Sequence, residues 1–440
     1  MSNSTKDLTK GNPLKVILKF SLPMIVGNIF QQLYNIVDSI IVGKFIGTNA
    51  LAAVGSSFAI MVFITSILLG LCMGTSIVFS QFFGAKEIQN LKISISTSFI
   101  FIGIISIVIT GVSLVFVNEI ILFMKIPREL FTDTRAYLNI IFSGIFFTFL
   151  YNWSAGLLRA LGNSKVPLYF LILAAIINVV LDLVFVIIFN MGVSGTALAT
   201  VIAQFISAIL CIIYCIKKLK FLKFKPKEFK FDKEIFKLTA RYSLLTSIQQ
   251  SIMNFGILMI QGLVNSFGID PMAAFAAAVK IDSFAYMPVQ DFGNAFSTYI
   301  AQNKGGKKDE RIRSGIKVSL KIVTIFCIII SLVIWTMADK FMLIFINSTE
   351  YQVIKIGIEY LRIVCTFYYF IGYLFMLYGL YRGLGKVKMS IVLTIISLGL
   401  RVSLAFITAP YLGLRGIWWA IPIGWIIADT VGMIYYKFIS

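Results

Sequence analysis

The chain has 440 residues, of which 59% are hydrophobic and only 13% charged, and its mean hydropathy is +0.92. That balance excludes an ordinary soluble domain, and the absence of histidine removes His-based metal sites, His general bases and His proton relays. The formal charge of +20 would suit nucleic acid, but the basic residues gather in short breaks between apolar runs, so a polytopic membrane protein with no nucleic-acid partner is expected.

Twelve spans are predicted, each of ~20 or more mostly apolar residues. They lie at about 15–42, 50–80, 93–117, 134–157, 166–189, 195–216, 237–263, 272–299, 315–338, 354–379, 389–410 and 416–437. The first is long, carries Pro23 and a polar stripe, and has no A-x-A site before the next span, so it is expected to stay in the protein rather than be cleaved as a signal. Within it, QQLYNIVD places Gln31, Asn35 and Asp38 at i, i+4 and i+7, one face of a helix, with Tyr34 beside them. An ionised carboxylate at the bilayer centre costs about 2.5–3.5 kcal/mol on insertion scales, so Asp38 needs a reason to be there.

The fourth span carries Tyr137, Tyr151, Asn152 and Trp153, aromatic and amide groups that could face a lipophilic cation or simply pack. The fifth carries Asn178 and Asp182 one turn apart, and the sixth carries Thr196 and Thr200. The first and fifth spans run outward, and counting back from their outer ends puts Asp38, Asn178 and Asp182 at one height in the outer half of the membrane. Two acids, an amide and hydroxyls suit a hard cation such as Na⁺. The same cluster can hold a shared proton, because two carboxylates close together in a low dielectric cannot both be ionised cheaply. The competing reading is that the acids satisfy helix ends or a buried amide network.

Between the sixth and seventh spans lies the basic run KKLKFLKFKPKEFKFDKEIFK, Lys217 to Lys237. Its interleaved Lys and Phe fit a connector lying on anionic headgroups better than a specific regulatory element. Past it the polar residues change in kind. The eighth span carries Lys280, Asp282 and Asp291, with Lys280 and Asp282 expected to pair. The tenth carries Glu359 and Arg362, expected to pair at i and i+3, and Arg401 in the eleventh has no evident partner. Lys280, Asp282, Asp291 and Glu359 form a secondary set of candidate coupling residues. Asp270 before Pro271 reads as the N-cap of the eighth span. The five cysteines fall inside spans without a CxxC pair and read as small packing residues.

The halves of the chain repeat each other. SQFFGAKE (from Ser80) resembles AQNKGGKK (from Ala301), FIGTNALAAVG (from Phe45) matches SFGIDPMAAFA (from Ser266), and MGVSGTALA (from Met191) matches LGLRGIWWA (from Leu412), all at a shift of 221. YLNIIF…LLRALGNSKV (from Tyr137) matches YLRIVC…LYRGLGKVKM (from Tyr360) at a shift of 223. Six spans per repeat is an even number, so both halves share one orientation, related by a pseudo-two-fold axis along the membrane normal. The expected fold is all-α: residues 1–216 as an N-terminal six-helix bundle, 217–236 as a basic cytoplasmic linker, and 237–440 as a C-terminal six-helix bundle. Of the 39 Lys and Arg, 27 fall on the side holding both termini and 7 on the other. Both termini are therefore expected in the cytoplasm.

At FSLPMIVGNIFQQLYNIVDSIIVGKFIG, the two glycine-containing loops and LLRALGNSKVPLYF, the sequence resembles the multidrug and toxic compound extrusion (MATE) family over essentially its whole length. Asp38, Asn178 and Asp182 resemble the DinF-type branch, whose N-terminal bundle carries the coupling site. The NorM-type branch uses acids in the seventh and tenth spans; here the seventh offers Asn254 and the tenth Glu359. The resemblance implies an antiporter of the cell membrane, exchanging H⁺ or Na⁺ for lipophilic organic cations by alternating access. It implies no cofactor, a cation site at Asp38, Asn178, Asp182 and Thr200, and a cavity lined by Gln31, Tyr137 and Asn152, to which the helix-face spacing adds Tyr34 and Asn35. A monomer is expected. Two alternatives stand beside it. A lipid-linked sugar flippase of the same superfamily would commonly have fourteen spans and a basic cavity. A membrane-embedded enzyme would need acid/base or metal groups near a water interface, which the sequence does not offer.

Overall fold

In hydrocarbon every backbone N–H must be bonded within its own segment, so apolar runs of this length become helices. The structure is a computed structural model describing residues 5–124, 126–222 and 232–439, and among the described residues there is no strand. The middle of the basic linker, 223–231, lies outside the described residues, as does Lys125; the headgroup contact expected at Lys217 to Lys237 therefore falls partly outside them too.

The spanning helices are α1 (Pro13–Ile41), α2 (Thr48–Ala85), α3 (Ile88–Val115), the pair α5 (Phe131–Ser143) and α6 (Ile145–Ala160), α7 (Lys165–Leu183) and α8 (Gly192–Lys218), with a short α4 (Val117–Phe123) between the third and fourth spans. They continue with α9 (Lys233–Asn265), α10 (Ile269–Gly305), α11 (Asp309–Phe345), the pair α12 (Tyr351–Cys365) and α13 (Tyr368–Gly383), α14 (Val387–Leu412) and α15 (Leu414–Ile439). Ten spans are each one long helix, α11 among them being kinked at Met337, and two are broken and bent, by 43° within the fourth and 55° within the tenth, making the twelve that the sequence predicts.

The bends have local causes and no proline. At the first, the Ser143 hydroxyl donates to the Ile140 carbonyl at 2.7 Å, and the Gly144 N–H divides between Ile140 and Ile141. At the second, the Thr366 hydroxyl donates to the Arg362 carbonyl at 2.7 Å, while Ser331 from α11 donates to the Cys365 carbonyl at 2.6 Å. Hydroxyls that take up helix carbonyls in this way open the ladder and let it turn.

The repeat is written in the backbone. Left-handed or otherwise positive-φ residues recur in register: Gly47 and Gly268 (φ 123° and 109°), Lys86 and Lys307 (62° and 54°), Gly162 and Gly385 (81° each), Gly192 and Gly413 (58° and 60°). Glycine is required at Gly162 on two counts, since an added Cβ would lie 1.9 Å from the Lys6 carbonyl oxygen, in a segment whose Lys6 N–H already donates to Leu161. One expectation needs correcting at these joints. Asp270 lies inside the first turn of α10, and Gly268 takes the cap position, because only glycine tolerates the φ of 109° needed there.

By its contacts the chain forms two compact units: everything up to Leu8 together with Leu22–Gln250, and Thr9–Ser21 together with Ser251 onward. The first unit is centred on Phe79, Phe142, Phe149, Leu138, Leu158 and Trp153, all buried, with the Trp153 indole N–H donating to Ser98 at 3.1 Å. In it α2 meets the start of α9 backbone to backbone, since a Cβ at Gly74 would fall 2.4 Å from the Tyr242 carbonyl oxygen. Small residues that allow such approach replace the hydrophobic driving force that lipid cannot supply. The second unit is built around Phe275, Tyr360 and Trp418, with the Phe275 and Trp418 rings stacked at 5.4 Å and Tyr360 edge-on to both. Outward faces are apolar, as Ile104, Ile107, Val108 and Val115 on α3 and Ile325, Ile328, Ile329 and Leu332 on α11 illustrate. Lipid is as apolar as these side chains, so exposing them costs nothing there.

Candidate functional site

In the first unit the polar stripe of α1 meets the polar face of α7. Each helix breaks into a π turn just past its acid: Asp38 precedes the turn Val42–Ile46, and Asp182 precedes the turn Val184–Ile188. The two turns pack against each other, and such turns are frequent where helices carry function. The sequence gives no common signal for them, since one is VGKFI and the other VFVII.

Asp182 is completely buried and Asn178 nearly so, while Asp38 is half-buried. The two carboxyl groups are within hydrogen-bonding contact of one another. Carboxylates only accept, so a bond between them needs a proton on one of the two. Among the described residues no other group donates to either oxygen of Asp182 or to Oδ1 of Asp38. A buried carboxylate without donors is costly as a free anion. A proton or a small cation between the pair removes that cost, and this is what the arrangement can do chemically.

Two tyrosines close the cluster. Tyr34, one turn before Asp38, is hydrogen-bonded to Gln31, and buried Tyr137 from α5 lies close to Tyr34, Asp38 and Asp182. The Asn178 amide donates to the Thr200 hydroxyl of α8 at 3.4 Å, while its own Oδ1 receives no donor from the protein. Thr196, also on α8, is buried and donates to the Val193 carbonyl at 3.0 Å. The structure thus brings Gln31, Tyr34, Asp38, Tyr137 and Asp182 together, with Asn178 and Thr200 joined one turn along α7. Two of the sequence-predicted residues are engaged within their own helices instead. Asn35 bonds Gln32 at 3.2 Å, and Asn152 donates to the Thr148 carbonyl at 2.9 Å.

The second unit differs from its sequence reading. Lys280 and Asp282 do not pair: Lys280 is exposed and stands over the Phe345 ring at 5.9 Å, whereas Asp282 points into the unit. Two residues apart on a helix, they face different ways. Asp282 instead accepts from Tyr368 at 2.6 Å and Tyr360 at 3.1 Å, and Arg401, whose partner the sequence leaves unnamed, lies close to Asp282, Tyr286 and Tyr360. Nor do Glu359 and Arg362 pair. Glu359 is bonded by Arg415, and Arg362 stands over the Trp335 ring at 5.1 Å. Asp291 is buried on α10. The tyrosine ligands of Asp282 lie 78 and 86 residues away, a long-range pairing to which no spacing rule points.

The MatE family model matches residues 23–184 and 243–407. This chain belongs to the MatE family. The two matched segments fall one in each repeat, and they include Asp38 and Asp182 in the first and Asp282 and Arg401 in the second. A relative from Bacillus subtilis named probable multidrug resistance protein YpnP is 30% identical over 98% of this chain and 96% of its own length. Another from Thermotoga maritima, named probable multidrug resistance protein NorM, is 25% identical over 96% of this chain and 92% of its own. A solved structure of a multidrug resistance MATE family transporter in its outward-facing conformation superposes with a TM-score of 0.93 at 26% identity, covering 99% of this chain and 98% of that one. As a MatE protein the chain is a multi-pass membrane transporter and not an enzyme.

Proposed function

We propose that this transporter is a cation-coupled antiporter that exports lipophilic organic cations by alternating access, with H⁺ or Na⁺ taken up at the Asp38 and Asp182 pair as the coupling ion. The observation that carries the reading is Asp182, fully buried beside Asp38 with no other donor to either oxygen among the described residues. Such a pair is satisfied by a cation and by little else. Asn178 and Thr200 supply further oxygens one turn away for Na⁺, and Tyr34 and Tyr137 hold the surrounding wall.

The cycle follows from charge. When the pair faces outward it takes an ion and loses negative charge, becoming neutral where one acid already holds a proton, which weakens its hold on an organic cation in the N-terminal cavity. Facing inward it releases the ion, and the restored negative charge favours the next organic cation. Each net elementary charge moved inward across 100 mV supplies about 2.3 kcal/mol, equivalent to roughly a 50-fold concentration ratio, whereas one-for-one exchange with a monovalent organic cation draws on the ion's concentration gradient alone. The multidrug names of the relatives support the substrate class, and the resemblance to the DinF-type branch supports placing the site in the N-terminal half. In this reading residues 1–216 and 237–440 act as the two moving bundles. The chain sits in the cell membrane as a monomer with both termini and the linker of 217–236 in the cytoplasm, the linker resting on anionic headgroups.

The test is transport of a fluorescent organic cation into proteoliposomes, driven separately by a pH gradient and a Na⁺ gradient. One gradient is expected to drive the wild-type protein, and Asp38→Asn and Asp182→Asn are expected to abolish the response while remaining folded. Normal driven transport in both variants would overturn the assignment and move the search to Asp282, Asp291 and Glu359.

A further inference from the structure

A third carboxyl group stands in the same electrostatic position as Asp182 without any acidic neighbour. Asp429, in the middle of α15, is 1% exposed, and among the described residues no group donates to either of its oxygens. Its surroundings explain the burial. Gly424, five residues before it, would carry a Cβ 2.4 Å from the Ser397 carbonyl oxygen of α14, and Gly432, three residues after it, would carry one 2.7 Å from Leu377 of α13. The Tyr381 hydroxyl of α13 donates to the Gly432 carbonyl. The backbone of α15 is thus pressed against both neighbours on either side of the acid, a fit that small residues allow.

The groups around the acid offer nothing to an anion. Tyr378 is the titratable side chain that α13 places near Asp429, and its hydroxyl is hydrogen-bonded to Thr394 of α14. Arg382, one turn further along α13, is bonded to Asn294 at 2.9 Å and to the Tyr378 carbonyl at 3.2 Å, and makes no bond to Asp429. From α14 come neutral buried groups: Ser397 against Gly424, Ser390 donating to the Tyr378 carbonyl, and Thr394, bonded to Tyr378 and donating to the Ser390 carbonyl. The helix α12 meets α15 at Trp418 through Tyr360, more than two turns away from the acid. A carboxylate so enclosed would bear its full desolvation cost unrelieved. A carboxylic acid would not, since the neutral form is cheap to bury.

We propose that Asp429 is a second proton-binding acid of this transporter, holding its proton while α15 is closed against α13 and α14 and releasing it when those helices part enough to admit water. Proton exchange at Asp429 then reports a movement inside the second unit, separate from ion binding at Asp38 and Asp182. The inference stands on the enclosure of Asp429 and does not need the N-terminal pair to be the coupling site.

The test is infrared difference spectroscopy on the full-length protein in lipid, comparing acidic with strongly alkaline buffer and reading the carboxylic-acid C=O stretch. A band is expected that Asp429→Asn removes, Asp429→Glu shifts, the double variant with Asp38→Asn and Asp182→Asn retains, and Na⁺ at constant pH leaves in place. The band should disappear at alkaline pH. Any of three results would overturn the proposal: a spectrum of the Asp429→Glu protein that superimposes on the wild type, a band at Asp429 that persists unchanged in strong alkali, or its loss on adding Na⁺ at constant pH. Loss of the band only in the double variant would place the proton on the N-terminal pair instead. Should Asp429→Asn not fold, the glutamate variant decides by itself.

Discussion

Replacing Tyr368 by Phe isolates one hydrogen bond in the second unit. The ring is 1% exposed and would stay in place, so the change opens no cavity and removes only the hydroxyl that donates to Asp282 at 2.6 Å. Asp282 would keep the 3.1 Å bond from Tyr360 and the nearby charge of Arg401. A hydrogen bond to a charged group contributes about 1.5–3 kcal/mol. For a unit of this size each kcal/mol moves the midpoint by ~2–4 °C, so a fall of roughly 3–12 °C is expected. Tyr360→Phe should cost less, because its bond is longer, and the two changes together should not add, because both act on one carboxylate. The assay is thermal unfolding in detergent micelles, read by intrinsic fluorescence and by the surviving monodisperse fraction on size exclusion. A Tyr368→Phe protein with an unshifted midpoint would show that the hydroxyls do not stabilise Asp282. A strictly additive double variant would show that they act on separate groups.

Other consequences are as direct. Gly162→Ala should destabilise by about 2 kcal/mol or more, since φ is +81° and the Cβ would strike the Lys6 carbonyl; the unfolding midpoint of the purified protein measures it. Gly74→Val should prevent the close packing of α2 on α9 at Ser243 and Tyr242, at a cost of about 1–3 kcal/mol or more, seen as a loss of monodisperse protein. Arg415→Ala should change stability by less than about 1 kcal/mol, because the Arg415 side chain of the Glu359 pair is 73% exposed. Thr200→Val removes the acceptor of the Asn178 amide and should raise the ion concentration for half-maximal transport by about fivefold, the equivalent of ~1 kcal/mol, with little change in folding.

Much of the fold was open to reading because membrane spans obey a single dominant constraint, the internal satisfaction of backbone bonds over a fixed thickness. The repeat was legible for a related reason: Gly162 and Gly385, or Gly47 and Gly268, mark positions where the backbone conformation narrows the choice of residue. The bends in the fourth and tenth spans were not legible, since Ser143 and Thr366 act through hydroxyl bonds to carbonyls that any helical Ser or Thr could make. At the candidate site the i, i+4, i+7 stripe of α1 foretold that Gln31, Asn35 and Asp38 share a face with Tyr34 beside them. It could not foretell that Asn35 would turn to Gln32.

Partners distant in sequence were the main loss. Spacing suggested Lys280 with Asp282 and Glu359 with Arg362, while the folded chain gives Asp282 two tyrosines and Glu359 an arginine from the start of α15. Local spacing sees only one helix, and charges within a membrane find their partners on neighbouring ones. Asp429 was passed over for a similar reason. Its place in an apolar span, IIADTVGMIYY, already calls for a reason, but the run shows no partner and no enclosure until the glycines at 424 and 432 are seen to seal it.

The central claim is that one acid pair serves the coupling ion and the exported cation in turn. The most direct measurement is equilibrium binding of tetraphenylphosphonium to the detergent-purified protein while H⁺ and Na⁺ are varied separately. The account predicts that affinity falls as one of these ions rises, and that Asp182→Asn binds with an affinity independent of both. A wild-type affinity indifferent to both ions, or an Asp182→Asn protein that keeps the wild-type dependence, would contradict it.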